Sequence, residues 1–146
     1  MIKLFLVTAF CFMHVTSPVW VNNLADAKDA AKKEHKFILL NFSGSDWCIP
    51  CMRLHQEIFE ADAFKDFADG HLILLSADFP RKKSNQLSKE QQKMNDRLAE
   101  KYNPEGSFPF TLLLDSDGNK IKVWDGFYKE GPGSFVNEIK VATNIN

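Results

Sequence analysis

The sequence has no excess of basic residues, since 18 Lys and Arg stand against 19 Asp and Glu and the formal charge is −1. This balance argues against a nucleic-acid-binding protein, whose surface normally carries a strong positive patch. Cysteine is scarce, with three residues in 146, so there is no second pair to complete a four-ligand zinc site. No internal repeat or low-complexity segment is visible. The length and the 45% apolar content therefore predict one globular domain.

The N-terminal segment differs from the rest of the chain. After the basic start at Lys3, residues 4–15 are almost wholly apolar, and small or polar residues follow them. This apolar run is too short for a comfortable membrane span, and its flanks are typical of a secretory leader. The sequence predicts a signal peptide over residues 1–19, a mature domain over residues 20–146, and a periplasmic or secreted location. An uncleaved anchor is the alternative.

The segment Trp47-Cys48-Ile49-Pro50-Cys51 is the most informative feature of the sequence. Removal of the leader takes Cys11 with it, and the remaining even pair of cysteines suits an oxidising compartment. The two thiols are separated by two residues, follow a strand-like run and open a helical pattern, so they can close on each other as a disulfide. At a helix start, unpaired backbone N–H groups favour the thiolate form of the first cysteine.

Strand and helix patterns alternate along the rest of the chain. Four helices are predicted besides the one that the cysteines open, and they cover residues 23–35, 63–68, 88–102 and 134–142. Strands are predicted over residues 37–42, 72–77, 110–114 and 120–124. Residues 80–87, which include the basic run at 81–83, are predicted to be a solvated loop. This order implies an α/β fold in which a central mixed β-sheet is flanked by helices on both faces.

These motifs together resemble the thioredoxin-like superfamily, and in particular the exported bacterial thiol–disulfide oxidoreductases of the Dsb type. The resemblance rests on residues 42–51, on residues 78–83, and on Phe108-Pro109-Phe110 with the strand that follows. It implies a thioredoxin-like fold and a redox reaction carried by the cysteines themselves, with no organic cofactor and no bound metal. It also implies that Pro109 is the cis-proline that faces the disulfide in this superfamily.

Cys48 is the predicted nucleophile and Cys51 the predicted resolving thiol, which releases the reduced substrate from a mixed disulfide. A purely structural disulfide is the alternative, although a bridge across so few residues restrains the unfolded chain little. Five neighbours are candidate substrate-binding residues: Trp47, Ile49, Pro50, Phe108 and Pro109.

The residues between the cysteines bear on the direction of electron flow. Ile49 and Pro50 provide no charge that would further stabilise a thiolate, so the reduced pair is less favoured and the protein is a better electron donor. The sequence therefore predicts a disulfide reductase, with an oxidase or isomerase as the alternative. A binding module that has lost catalysis is a further alternative, but retention of both cysteines argues against it.

The sequence offers more than one candidate proton acceptor for Cys51. Asn41 stands where thioredoxins place a buried Asp, and an amide cannot take the proton. Water, Glu57 or His55 could do so, and His55 is the better placed because it lies four residues after Cys51 on the same helical face. The set Cys48, Cys51 and His55 could alternatively bind copper.

The predicted partners follow from this chemistry. Protein disulfides are the expected substrates, and turnover requires an outside electron source, for which the family suggests a membrane or thioredoxin-type donor. A monomer is expected, and no nucleic-acid partner.

Overall fold

The computed structural model describes residues 18–146. The predicted leader therefore lies almost wholly outside the described residues. Within residues 18–146, no helix is both long enough and apolar enough to span a membrane.

Twelve elements make up this part of the chain. In chain order they are β1 (Trp20–Val21), α1 (Leu24–Glu34), β2 (Phe37–Ser43), α2 (Ile49–Leu54), a π-helical turn (His55–Phe59), α3 (Asp62–His71), β3 (Leu72–Asp78), a 3₁₀ turn (Lys83–Asn85), α4 (Lys89–Tyr102), β4 (Phe110–Leu114), β5 (Lys120–Asp125) and α5 (Pro132–Thr143). All the predicted helices and strands are present. β1 is an additional strand, and with only two residues it is too short to produce a recognisable sequence pattern.

The five strands form one sheet in the order β1-β3-β2-β4-β5. β3 pairs in parallel with both β1 and β2, whereas β2 and β5 each pair antiparallel with β4. The predicted mixed sheet is therefore confirmed. Because β2 lies at its centre, the strand that leads to the cysteine turn is flanked by β3 on one side and β4 on the other.

Helices cover both faces of this sheet, as predicted. Alternate residues of β2 point to opposite faces, so Leu39 joins a different core from Ile38 and Leu40. The core around Leu39 is packed by α2, α3 and α5, whereas α1 and α4 cover the other core. The strand that leads to the cysteines therefore contributes side chains to both cores.

Two predicted helix boundaries were wrong. Helix α3 does not stop at Asp69-Gly70 but continues to His71, where the chain passes directly into β3. A glycine costs a helix only about 1 kcal/mol, which packing of the buried Phe64 and Ala68 outweighs. Helix α5 begins at Pro132 rather than after Ser134, because proline is well suited to the first turn of a helix.

Replacing Phe135 with alanine is expected to lower the free energy of unfolding by about 3–5 kcal/mol. This ring is fully buried, and it packs 4.6 Å from the ring of Trp124 and 5.2 Å from that of Tyr128 between centroids. Chemical denaturation of the reduced protein measures the loss. Val141→Ala is the matched control, since this side chain lies on the same helix and is 72% exposed. A loss below about 1 kcal/mol for Phe135→Ala would contradict the assigned core.

Candidate active site

The two cysteines lie where the central strand gives way to α2. Cys48 occupies the N-cap position with extended backbone, and Pro50 stands in the first turn of the helix. The sulfurs form a disulfide of 2.13 Å, and the backbone N–H of Cys51 donates to Cys48 Sγ over 3.3 Å. When the disulfide is reduced, this N–H and the positive end of the helix dipole favour the Cys48 thiolate.

The surface around the sulfurs is apolar and accessible. Cys48 and Cys51 are themselves only 5% and 4% exposed, but Ile49 is 68% exposed and Met52 43% exposed beside them. Pro50 is exposed as well. A polypeptide can therefore rest on these side chains while its disulfide approaches Cys48. Met52 is a candidate contact that the sequence analysis missed.

Trp47 is held firmly in place beside the cysteines. Its indole N–H donates to the carbonyl oxygen of Phe79 over 2.7 Å, and the Arg81 guanidinium lies 3.6 Å from a ring centroid of Trp47. The backbone of Gly44 packs so closely against the same side chain that a Cβ added there would overlap the indole. Trp47 therefore joins the cysteine turn to the loop that follows β3.

Two carboxylates strengthen this connection. Asp46 accepts hydrogen bonds from the backbone N–H groups of Arg81 and Lys82, each over 2.9 Å, and from Asn85 Nδ2 over 3.0 Å. The bond from Arg81 N–H is the main cause that holds the pKa of Asp46 below its ordinary value. At the end of β3, Asp78 accepts hydrogen bonds from both the backbone N–H and the hydroxyl of Ser45.

These contacts correct the description of residues 80–87 as a plain solvated loop. The side chains of the basic run are exposed as predicted, but its backbone is fastened to the cysteine turn and includes a 3₁₀ turn. Asp46 and Asp78 were not singled out from the sequence. The available signal was an Asp in the turn directly before the cysteine motif, together with another at the end of the neighbouring strand.

The Phe108–Pro109 peptide bond is cis, as the resemblance implies. β4 begins at the next residue, Phe110, which pairs with Phe42 near the end of β2, so Pro109 lies at the edge of the sheet from which the cysteine turn departs. The ring of Phe108 packs edge-on against Trp47 and Phe79, with centroid distances of 5.5 Å and 5.6 Å. Residues far apart in sequence thus form one aromatic wall beside the site.

A cavity of about 420 Å³ lies behind the second cysteine. It is lined by Trp20, Asn41, Ser43, Ser45, Cys51, Met52, His55, Ser76 and Asp78. The buried Asn41 amide donates to Thr111 Oγ1 over 2.9 Å and is satisfied there. The cavity is large enough for water, so solvent can reach the neighbourhood of Cys51.

The two side chains considered from the sequence as proton acceptors differ in their position. His55 lines the cavity together with Cys51, and its Nε2 lies 3.1 Å from Glu60 Oε1. Glu57 does not line the cavity, because its carboxylate pairs with Arg53 on the surface at 2.8 Å. Glu57 is therefore poorly placed to accept the proton, whereas His55 stays a candidate.

The copper alternative also depended on His55. Within residues 18–146, no three His, Cys, Asp or Glu side chains are grouped closely enough to hold a metal ion. Cys48, Cys51 and His55 accordingly do not form a ligand set in this disulfide form of the site.

Comparison with known proteins agrees with this arrangement. A family model described as a thioredoxin-like domain matches residues 24–132. The chain belongs to the thioredoxin-like family. Among its relatives is the disulfide bond reductase DsbH of Chlamydia pneumoniae, which is 34% identical over 135 residues, covering 89% of this chain and 79% of the relative.

Solved structures extend the similarity to three dimensions. A DsbH oxidoreductase matches with a TM-score of 0.82 and 29% identity, over 99% of this chain and 96% of the other. The reduced C-terminal domain of Neisseria meningitidis DsbD matches with a TM-score of 0.59 and 26% identity, over 82% and 93% of the two chains. This thioredoxin-like protein is a thiol–disulfide oxidoreductase of the Dsb type, as the sequence predicted.

Proposed function

We propose that this protein reduces disulfide bonds in exported proteins, with Cys48 as the nucleophile and Cys51 as the resolving thiol. The proposal depends mainly on one observation, which is the pairing of Cys48 with Cys51 at the start of α2, where the backbone N–H of Cys51 points at the Cys48 sulfur. The apolar surface around the pair and cis-Pro109 at the same sheet edge supply a place for an extended substrate.

The reaction transfers two electrons from the cysteine pair to the substrate. The Cys48 thiolate attacks one sulfur of the substrate disulfide, so that a mixed disulfide forms and the other substrate sulfur leaves as a thiolate. Cys51 then loses its proton and attacks Cys48 Sγ, which closes the Cys48–Cys51 disulfide and releases the second substrate sulfur. The two substrate thiolates take up protons, and the protein is left oxidised.

Deprotonation of Cys51 is the step for which the site provides the least obvious acceptor. Asn41 cannot act as the base, and its amide is already bonded to Thr111. The cavity behind Cys51 is large enough to admit water, and His55 lines the same cavity. We propose that water entering this cavity accepts the proton and that His55, on the cavity wall, is a candidate side chain to receive it next.

The reducing direction follows from the residues between the cysteines. Ile49 and Pro50 bring no positive charge to the Cys48 sulfur, so the reduced form is stabilised less than in strongly oxidising relatives. A second partner must then return two electrons to the Cys48–Cys51 disulfide after each cycle. A membrane or thioredoxin-type donor fits this need, and the protein is proposed to act as a periplasmic or secreted monomer after removal of residues 1–19.

The redox potential of the cysteine pair tests the proposed direction. We expect equilibration with glutathione to give a value below about −230 mV, close to that of thioredoxin at about −270 mV. We also expect the purified domain of residues 20–146 to accelerate the reduction of insulin disulfides by dithiothreitol. A potential above about −180 mV would instead indicate an oxidase or isomerase. Absence of insulin reduction would contradict the proposed activity as a whole.

A further inference from the structure

Three consecutive cations, Arg81, Lys82 and Lys83, stand beside the active site and are called the basic rim here. All three side chains are exposed, and none of them forms an ion pair with another of residues 18–146. The nearby carboxylate of Asp46 is occupied by two backbone N–H groups and the Asn85 amide. The basic rim therefore carries three exposed positive charges, of which only that of Arg81 lies against an aromatic side chain of residues 18–146, that of Trp47.

The basic rim is fixed relative to the reactive sulfur. Asp46 holds the backbone of Arg81 and Lys82, and the indole of Trp47 holds the carbonyl oxygen of Phe79. Asp46 and Trp47 both belong to the turn that ends at Cys48. A substrate that docks its disulfide on Cys48 thus meets a backbone in a defined position, and the Arg81 side chain is itself held against Trp47, which lowers the entropic cost of an ion pair with Arg81.

The Arg81 guanidinium is oriented so that it can bind a carboxylate. Its guanidinium lies 3.6 Å from the centroid of a Trp47 ring, and none of the hydrogen bonds formed by residues 18–146 uses the guanidinium N–H groups. A cation placed over an aromatic face keeps its in-plane donors free, and a guanidinium can hold a carboxylate through two parallel N–H bonds.

The basic rim also borders the place where an extended substrate would lie. Phe108 contacts both Trp47 and Phe79, and it directly precedes cis-Pro109. The aromatic wall therefore runs from the cis-proline to the residues that carry the cations. A chain lying against Pro109 with its cysteine at Cys48 would pass this wall, so its flanking side chains come within reach of Arg81.

We propose that the basic rim recognises Asp or Glu side chains close to the target cysteine, so that this protein prefers disulfide substrates with acidic flanking sequences. This inference rests on the proposed reductase function, because the substrate disulfide must meet Cys48 for the rim to matter. Arg81 provides the oriented contact, and Lys82 and Lys83 extend the positive field that attracts the acidic segment.

The test uses three peptides that differ only in the residues flanking one cysteine of an internal disulfide, which are Glu, Gln or Lys. We expect kcat/KM for dithiothreitol-coupled reduction to be roughly tenfold higher for the Glu peptide than for the Gln peptide at low salt, and lowest for the Lys peptide. The preference should shrink as the salt concentration rises. The double variant Lys82→Glu/Lys83→Glu should reverse the order, and Arg81→Lys should reduce the ratio between the Glu and Gln peptides.

The double variant Lys101→Glu/Lys120→Glu is the matched control, since it makes the same change in net charge. Both lysines are exposed beside Tyr102, and Lys120 pairs with Leu114 at the opposite end of β4 from Pro109. This variant should keep the wild-type ratio between the Glu and Gln peptides. An unchanged ratio in the variant of Lys82 and Lys83, or an equal fall in both variants, would overturn the inference.

Direct binding separates recognition from chemistry. Fluorescence anisotropy with labelled peptides whose cysteines are S-methylated should show tighter binding of the Glu peptide, and this should be lost in Lys82→Glu/Lys83→Glu. If the wild-type protein reduced none of the peptides, the proposed reductase function would fail. The anisotropy measurement would still show whether the basic rim prefers acidic peptides. If the Glu and Lys peptides bound equally and the protein instead bound phosphatidylglycerol vesicles, the inference would be overturned. The basic rim would then recognise an anionic membrane surface rather than a polypeptide.

Discussion

Cys48→Ala is expected to abolish catalysis, so that insulin is reduced no faster than by dithiothreitol alone. The variant removes the sulfur that accepts the N–H of Cys51 at the start of α2, and no other group in the site can form the mixed disulfide. Cys51 lies within α2 rather than at its N-cap, and it does not accept the backbone N–H that favours the Cys48 thiolate, so it is poorly placed to replace Cys48. Turbidity of the precipitating insulin chains measures the rate.

The reference for this variant is the reduced wild-type protein, because neither has a Cys48–Cys51 disulfide. Equal stability of the two in chemical denaturation shows that the loss is chemical rather than structural. A Cys48→Ala protein with wild-type activity would reject Cys48 as the nucleophile, and it would favour an alternative in which the cysteine pair is only structural.

The central part of the fold could be predicted because its signals are local. The apolar run of β2 and the cysteines that open α2 are adjacent in sequence, so pattern and spacing alone placed Cys48 at a helix start. The same holds for α4, where Ser88 caps the helix as expected by accepting the N–H of Gln91. The cis bond before Pro109 came from the family resemblance, since sequence pattern alone only permits a proline there.

The surroundings of Trp47 could not be predicted in this way. Asp46 and the backbone of Arg81 are 35 residues apart, and they meet only because β2 and β3 pair in parallel and end at the same edge of the sheet. From the sequence alone, a run of three cations in a polar segment is indistinguishable from an ordinary surface loop. Its position beside Cys48 is a property of the tertiary structure.

The π-helical turn after α2 was also beyond the sequence patterns. In a regular α-helix, side chains return to the same face every 3.6 residues. The π turn at His55–Phe59 has hydrogen bonds between residues five apart, so more residues are needed to complete one turn. With this spacing, the adjacent Ile58 and Phe59 are both buried, at 1% and 3% exposure, while His55 remains at the cavity behind Cys51. The helical period correctly placed His55 on the side of Cys51 but did not indicate its contact with Glu60.

Cys51→Ala is expected to stop turnover at a different point and to accumulate mixed disulfides with substrate proteins. In this variant Cys48 remains the N-cap of α2, and its sulfur still accepts the backbone N–H of residue 51, so its thiolate still attacks the substrate disulfide. The attack that would release the substrate then has no thiol to perform it. Incubation of the reduced variant with a periplasmic extract should give covalent adducts that migrate as larger species on non-reducing gels and disappear on reduction.

The double variant Cys48→Ala/Cys51→Ala is the control, since it keeps the surrounding surface but has neither thiol. It should form no adducts, which separates covalent capture through Cys48 from adhesion to the apolar surface at Ile49 and Met52. Failure of Cys51→Ala to capture any protein, under conditions in which the wild type reduces insulin, would contradict the resolving role of Cys51. Release would then have to proceed by attack of an outside thiol on the mixed disulfide, and catalysis by the protein would depend on that thiol's concentration.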